Sequence, residues 1–271
     1  MKNKRIIPIF LLNEFKLVQS RNFDHFEPIG NPLITLKRFS EWMVDELVYL
    51  NITRTKNAIH ERSEVKKFIK LIQQISKYNF IPITIGGKIN NINLIYNYLK
   101  NGADKIAINS HAFNDKKFIN KAAKEFGSQC IVVSIDVKKV GKKYMVFKNN
   151  GQIKTDLTLE HWINEVQSEG AGEILLNSID RDGTKKGYDF KILNSIKNKI
   201  KVPLIFCGGV GHWNDFKLGL KKKEIDAVAA SNIFHHFDQS DYLAKDYLKK
   251  NNIQNIRPPS FFEFNSIAQF S

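Results

Sequence analysis

A chain of 271 residues is too long for a disulfide-stapled or metal-stapled mini-protein and suits either two ordinary domains or one α/β barrel of about 250 residues. With 42% hydrophobic, 11% aromatic and 25% charged residues it can fill a large core, which excludes a disordered segment. The excess of 42 Lys+Arg over 27 Asp+Glu gives +15, yet only seven of the cations are Arg, the usual base-reading residue, and the lysines are scattered among many Asn; no nucleic-acid partner is expected, while phosphorylated small molecules remain plausible ones.

The longest apolar runs, 6–12 and 131–135, fall far short of the ~20 residues that cross a bilayer, so no membrane partner is expected. The basic start Met1 to Arg5 is followed by an apolar run but then by Glu14, with no small-residue cleavage site, and the chain reads as cytoplasmic. Cys130 and Cys207 form neither a disulfide framework nor a metal knuckle, and each adjoins a strand-like run, so neither a metal nor a cofactor is expected.

Short β-branched runs alternate with longer helical patterns along nearly the whole chain, the signature of repeated βα units around a parallel sheet. Strands are expected at 5–11, 46–51, 81–85, 105–109, 131–136, 173–178, 202–207 and 227–230. Between them lie helical stretches such as 64–78, apolar at Val65, Phe68, Ile69, Leu71 and Ile72, and 159–167, apolar at Trp162, Ile163 and Val166. After the fifth strand, 144–153 reads as a hairpin turning at Asn150-Gly151. Eight such units suggest one closed (β/α)8 barrel over 1–256, followed by a tail, 257–271, that packs on the barrel or on a partner. An internal repeat supports closure: a shift of 121 residues aligns Ile81-Pro82-Ile83 with Val202-Pro203-Leu204, Gly87 with Gly208 and Ser110 with Ser231.

In such a barrel the loops after the strands form the active face, and glycines there let backbone N–H groups approach a phosphate. The repeat supplies two such places: Gly86 and Gly87 with Asn109 and Ser110, and Gly208 and Gly209 with Ala230 and Ser231, joined by Asp182 and Gly183. Asp136 ends the apolar run 131–135 and is the candidate general acid or base, with Asp180 and Asp182 weaker candidates. His212, His235 and His236 have no carboxylate at a recognisable spacing and read as surface or loop residues. At the opposite end, four strands open on a charge, Arg5, Glu46, Lys105 and Glu173, which suits a salt-bridged polar plug.

Several segments resemble the cyclase subunit of imidazole glycerol phosphate synthase, HisF: Lys4-Arg5-Ile6-Ile7-Pro8, Asp45-Glu46-Leu47-Val48, Gly102-Ala103-Asp104-Lys105, Phe126-Gly127-Ser128-Gln129-Cys130, Gly172-Glu173-Ile174-Leu175-Leu176 and Asp180-Arg181-Asp182-Gly183-Thr184-Lys185. The likeness runs in order from residue 4 to about 250. It implies a (β/α)8 barrel that receives ammonia from a HisH-like glutaminase docked at its floor, beside Asp104, through a gate matching Arg5, Glu46, Lys105 and Glu173. It also implies two catalytic aspartates acting on a bis-phosphorylated ribulosyl substrate, and the second of them matches Asp136.

The first aspartate is replaced by Leu11, a mobile-loop lysine by Gln19, an aspartate after strand two by Asn51, and the third glycine of the first phosphate turn by Lys88. Lys88 stands opposite Gly209 in the repeat and is expected to obstruct its turn, by folding across the mouth to Asp136, or else to hold phosphate as a point charge. With this pattern the chain looks like second-copy paralogues that accompany a glutaminase and a sugar amidotransferase in surface-polysaccharide gene clusters. The function implied is ammonia relay for acetamidino formation on an N-acetyl sugar. The alternatives are the histidine-pathway cyclase itself and a non-catalytic activator of the glutaminase.

Overall fold

A computed structural model describes residues 3–41, 44–54, 58–77, 81–236 and 239–259. In chain order the strands are β1 (Arg5–Asn13), β2 (Lys16–Arg21), β3 (His25–Gly30), β4 (Leu47–Asn51), β5 (Ile83–Gly86), β6 (Lys105–Ile108), β7 (Ile131–Val140), β8 (Lys143–Lys148), β9 (Ile153–Thr158), β10 (Glu173–Ser178), β11 (Leu204–Cys207) and β12 (Ala227–Ala230). The helices are α1 (Pro32–Glu41), α2 (Ala58–Lys77), α3 (Ile92–Lys100), α4 (Phe118–Phe126), α5 (Leu159–Ser168), α6 (Lys191–Ser195), α7 (Trp213–Leu220) and α8 (Ser240–Lys250). Among the described residues no helix is long and apolar enough to cross a membrane.

Why the strands close into a ring is visible in β1, where Ile6 to Phe10 are all buried, as a parallel strand covered on both faces requires. Alternate side chains go to different cores: Ile6 and Phe10 join the layer beneath the helices, while Ile7 and Ile9 point inward with Val48, Ala107, Val132, Leu175 and Ile205. β1, β4, β5, β6, β7, β10, β11 and β12 pair in parallel, each with the next, and β12 returns to β1. The architecture is a closed (β/α)8 barrel.

The half-barrel repeat extends to the hydrogen bonds that set register. Asp104 accepts from Ile83 N at 2.8 Å, and its counterpart Asp226 accepts from Leu204 N at 3.0 Å; Asp45 treats Ile6 N in the same way at 2.9 Å. Each carboxylate ties the start of one strand to the start of the preceding barrel strand.

Two antiparallel hairpins stand above the C-terminal ends. β8 and β9 form the expected one, with Asn149, Asn150 and Gly151 all at positive φ in its turn, and β7 runs on to Val140 to reach it, four residues past the expected end. β2 and β3 form a second hairpin after β1 that the sequence reading did not anticipate. Its turns put Glu14, Phe15, Asn22 and Phe23 at positive φ without a glycine, so the usual turn signal is missing. The histidine assignments need one correction. His235 is not a surface residue; its ring lies 5.4 Å from that of Phe10, and burial pushes its pKa down to about 4. His212 caps α7 in a reciprocal pair with Asp215. Of the tail, 257–259 follow a bridge between Lys4 and Ile256, and 260–271 lie outside the described residues.

Candidate active site at the barrel mouth

At the C-terminal ends of the strands the barrel opens into a cavity of about 620 Å³. Asp136 lies in its wall on β7, 7% exposed and paired in register with Asn177 of β10. Burial pushes its pKa up to about 7, against the hydrogen bond that Asn109 Nδ2 donates at 2.8 Å and with help from the charge of Asp182. It is neither a helix cap nor paired with Lys138, which is exposed. A carboxyl that titrates near neutrality, facing a ligand-sized cavity, can give and take a proton at working pH. Cys207 also lines the cavity, but burial drives its thiol far up, so it offers no thiolate.

Asp182 is held by the unanticipated hairpin: Ser20 Oγ donates to it at 2.6 Å and Phe23 N at 3.3 Å, and burial raises its pKa. Asn22 N donates to Asp182 O at 3.0 Å, and Asn232 Nδ2 to Ser20 O at 2.8 Å, which fastens the hairpin to the loops after β10 and β12. Sequence reasoning missed Ser20 and Phe23 because their partner lies about 160 residues away. Asp180 does not line the cavity; it accepts from Lys139 N at 2.8 Å.

Gly183, Gly208, Gly209, Ala230 and Ser231 come together along one side of the cavity. Gly209 has φ +98°, and a Cβ there would lie 2.4 Å from Gly187 O, so the turn admits only glycine. The other side gathers Gly87, Asn109 and Ser110, but not Gly86, whose added Cβ would point into the barrel at Leu50 and Ala107. Gly86 therefore makes room for inner packing rather than for a ligand. Lys88 also departs from expectation: it sits at φ +57° and its ammonium pairs with Glu64 of α2 at 2.5 Å instead of crossing to Asp136. Leu11 and Asn51 line the cavity, with Asn51 Oδ1 accepting from Thr53 N, whereas Gln19 stands in the hairpin opposite Glu27.

At the floor the four charges meet. Arg5 donates to Glu46 at 2.7 Å and to Glu173, while Lys105 lies 3.1 Å from Glu46 and 2.8 Å from Glu173. Buried Thr84, unmarked by any sequence signal, donates to Glu46 at 2.8 Å. Burial alone would raise the Glu173 carboxyl, but the hydrogen bond and charge of Arg5, then Lys105, hold it below its usual range. Above this ring the barrel interior is mostly apolar, lined by Ile7, Val48, Val132, Leu175 and Ile205, with Ser134 adding a hydroxyl below Asp136 where the cavity opens. Among the described residues no cluster of three or more His, Cys, Asp or Glu is placed to hold a metal.

The family described as Histidine biosynthesis protein matches residues 5–239. The chain is 38% identical over 255 residues to the imidazole glycerol phosphate synthase subunit HisF of Bacillus cereus (strain G9842), covering 94% of this chain and 99% of that one. It is 40% identical over 252 residues to the subunit of the same name from Clostridium botulinum (strain 657 / Type Ba4), covering 92% and 97%.

Proposed function

The chain belongs to the HisF family of histidine-biosynthesis barrels, and from that membership we propose that it is the ammonia-accepting synthase subunit of a glutamine amidotransferase complex in the cytoplasm, with a HisH-like glutaminase under its floor. The observation that carries the reading is the alignment of three features along one axis: the ring of Arg5, Glu46, Lys105 and Glu173, the apolar interior, and Asp136 at the mouth. Neutral ammonia tolerates such an interior, whereas a desolvated ammonium ion does not, so a polar ring feeding an apolar lumen delivers the nucleophile uncharged.

The names of the relatives support imidazole glycerol phosphate synthase chemistry at the mouth. In that reaction ammonia and a bis-phosphorylated ribulosyl substrate give imidazole glycerol phosphate and an aminoimidazole carboxamide ribotide, with Asp136 moving protons and the glycine turns holding phosphate. Leu11 favours a second reading. Its side chain lines the cavity where the family has a carboxylate, and loss of one of two acid–base groups costs about 10²- to 10⁴-fold in rate. On this reading the ammonia serves acetamidino formation on an N-acetyl sugar, carried out with a sugar amidotransferase.

The test supplies the chain, its glutaminase and glutamine with the ribulosyl substrate in one arm, and with an N-acetyl sugar nucleotide plus the amidotransferase in the other. Imidazole glycerol phosphate formed at a rate ordinary for an enzyme supports the first reading and removes the second. Amidinated sugar with only trace cyclisation does the reverse. Activated glutamine hydrolysis without either product leaves the chain as a non-catalytic activator and refutes both acceptors.

A further inference from the structure

The two hairpins above the barrel differ sharply in charge. Residues 138–158, around β8 and β9, hold six lysines (Lys138, Lys139, Lys142, Lys143, Lys148 and Lys154) against one carboxylate, Asp156. Residues 14–30, around β2 and β3, hold Lys16 and Arg21 against Glu14, Asp24 and Glu27. A lysine richness spread over the whole chain does not produce that contrast. Lys139, Lys142 and Lys143, with Lys191 of α6, surround a groove of about 510 Å³ between the β7–β8 turn, the start of α5 and α6. All four are exposed, and none has an ion-pair partner among the described residues. The carboxylates around them are engaged elsewhere: Glu160 pairs with Lys199 at 2.6 Å, Asp189 accepts from Tyr144 Oη at 2.8 Å, and Asp180 accepts from Lys139 N at 2.8 Å. Four like charges around one groove repel one another, and an anionic surface laid over them relieves the repulsion.

The rest of the hairpin has the features of a protein interface. Val140, between two pairs of these lysines, is 40% exposed, and Ile153 on β9 is 44% exposed, so apolar anchors stand among the charges. β9 pairs with β8 alone, which leaves its other edge unpaired in the sheet and able to take backbone hydrogen bonds from a partner. Cations carried on exposed side chains suit a broad acidic surface better than one small anion. This surface is also continuous with the mouth. β9 ends at Thr158 in the groove wall and begins beside Gln152 in the cavity wall. The hairpin tip is fastened over the mouth, where Asn149 N donates to Ser110 Oγ at 2.9 Å and Asn150 Nδ2 donates to Ile52 O at 3.1 Å. The ring of Arg5, Glu46, Lys105 and Glu173 lies at the other end of the barrel, so a glutaminase at the floor leaves the hairpin accessible.

We propose that the basic β8–β9 hairpin docks the ammonia-accepting enzyme, a protein that presents an acidic face to it and covers the mouth while the glutaminase holds the floor. This rests on the second reading of function, in which a sugar amidotransferase takes the ammonia, and the two can fail separately.

The full chain, in complex with its HisH-like glutaminase, is titrated with the sugar amidotransferase of the same genome, and binding is followed by light scattering at low and high salt. Binding is expected to weaken about tenfold between roughly 0.05 and 0.3 M salt. The double variant Lys142→Glu, Lys143→Glu should weaken it about tenfold or more, and Lys66→Glu, Lys70→Glu, which reverses two exposed lysines of α2, less than about twofold. Activation of glutamine hydrolysis should be unchanged in both variants, which shows that each still folds. Amidotransferase binding that the two double variants affect equally, or amidinated sugar formed without binding, overturns the inference and leaves the relay reading standing. Neither binding nor amidinated sugar with the parent chain overturns both. A parent chain that instead sediments with phosphatidylserine vesicles, and fails to do so as Lys142→Glu, Lys143→Glu, marks a membrane-surface contact and also overturns the inference.

Discussion

Replacing Asp136 by asparagine should make the protein more stable at alkaline pH while disabling it. The carboxyl has a folded-state pKa of about 7 against 3.8 for the free side chain, a difference of about three units, chiefly from burial. At 1.36 kcal/mol per unit, keeping it ionised in the folded state costs about 4 kcal/mol. The folded protein binds this proton more tightly than the unfolded chain does. The stabilising contribution is therefore complete below about pH 4 and is lost as pH rises through about 7. The Asp136→Asn side chain would keep the shape and the bond from Asn109 without the charge. Urea unfolding at pH 5 and pH 8 should thus show the variant gaining up to about 4 kcal/mol over the parent at pH 8, and most of that gain gone at pH 5. Ammonia-dependent turnover should fall about 10²-fold or more at both. An Asp136→Asn stability difference that does not change with pH would refute the assignment of a raised pKa to this buried group.

Glu173→Gln strips Arg5 and Lys105 of a shared, buried carboxylate and should cost about 3 kcal/mol at pH 7. Because the native carboxyl titrates below its usual range, the parent keeps this contribution above the ordinary glutamate range and loses it as pH falls from there through the lowered folded value, so the two unfolding curves should converge in acid. Gly209→Ala forces a Cβ to within 2.4 Å of Gly187 O at φ +98° and should lower stability by about 1–3 kcal/mol, read by thermal unfolding, and abolish phosphate binding. Leu11→Asp alone should raise ammonia-dependent cyclisation less than about tenfold, because Lys88 still alters the first turn; a gain near the full ~10²- to 10⁴-fold would show that Leu11 is the whole deficit.

What the sequence conveyed and what it withheld divide along the range of the interactions. The eight barrel strands were legible because each is a short, predominantly apolar and β-branched run between helical periodicities, as in 131–135, and Asp136 was legible as the first carboxylate after such a run. The floor ring followed from four charges at strand starts, a position that closure of a barrel brings to one end. The β2–β3 hairpin was hidden because Phe15 and Phe23 occupy left-handed positions that glycine or asparagine usually mark. Lys88 was recognised as out of place, but its partner Glu64 lies 24 residues earlier on a helix face among other charges, and no spacing rule connects them. Likewise, the capture of Ser110 by Asn149 depends on how far the second hairpin leans over the mouth, which its turn residues do not specify.

The floor of the barrel is where partnership with a glutaminase is decided. Purified chain should be titrated into the HisH-like glutaminase from the same genome while glutamine hydrolysis is followed, with light scattering on the mixture. A one-to-one complex is expected, with a rise in hydrolysis that saturates at one equivalent, and loss of both with the charge reversal Lys105→Glu, which sets a third carboxylate against Glu46 and Glu173. No complex at micromolar concentrations, or a complex and rate indifferent to Lys105→Glu, would contradict it.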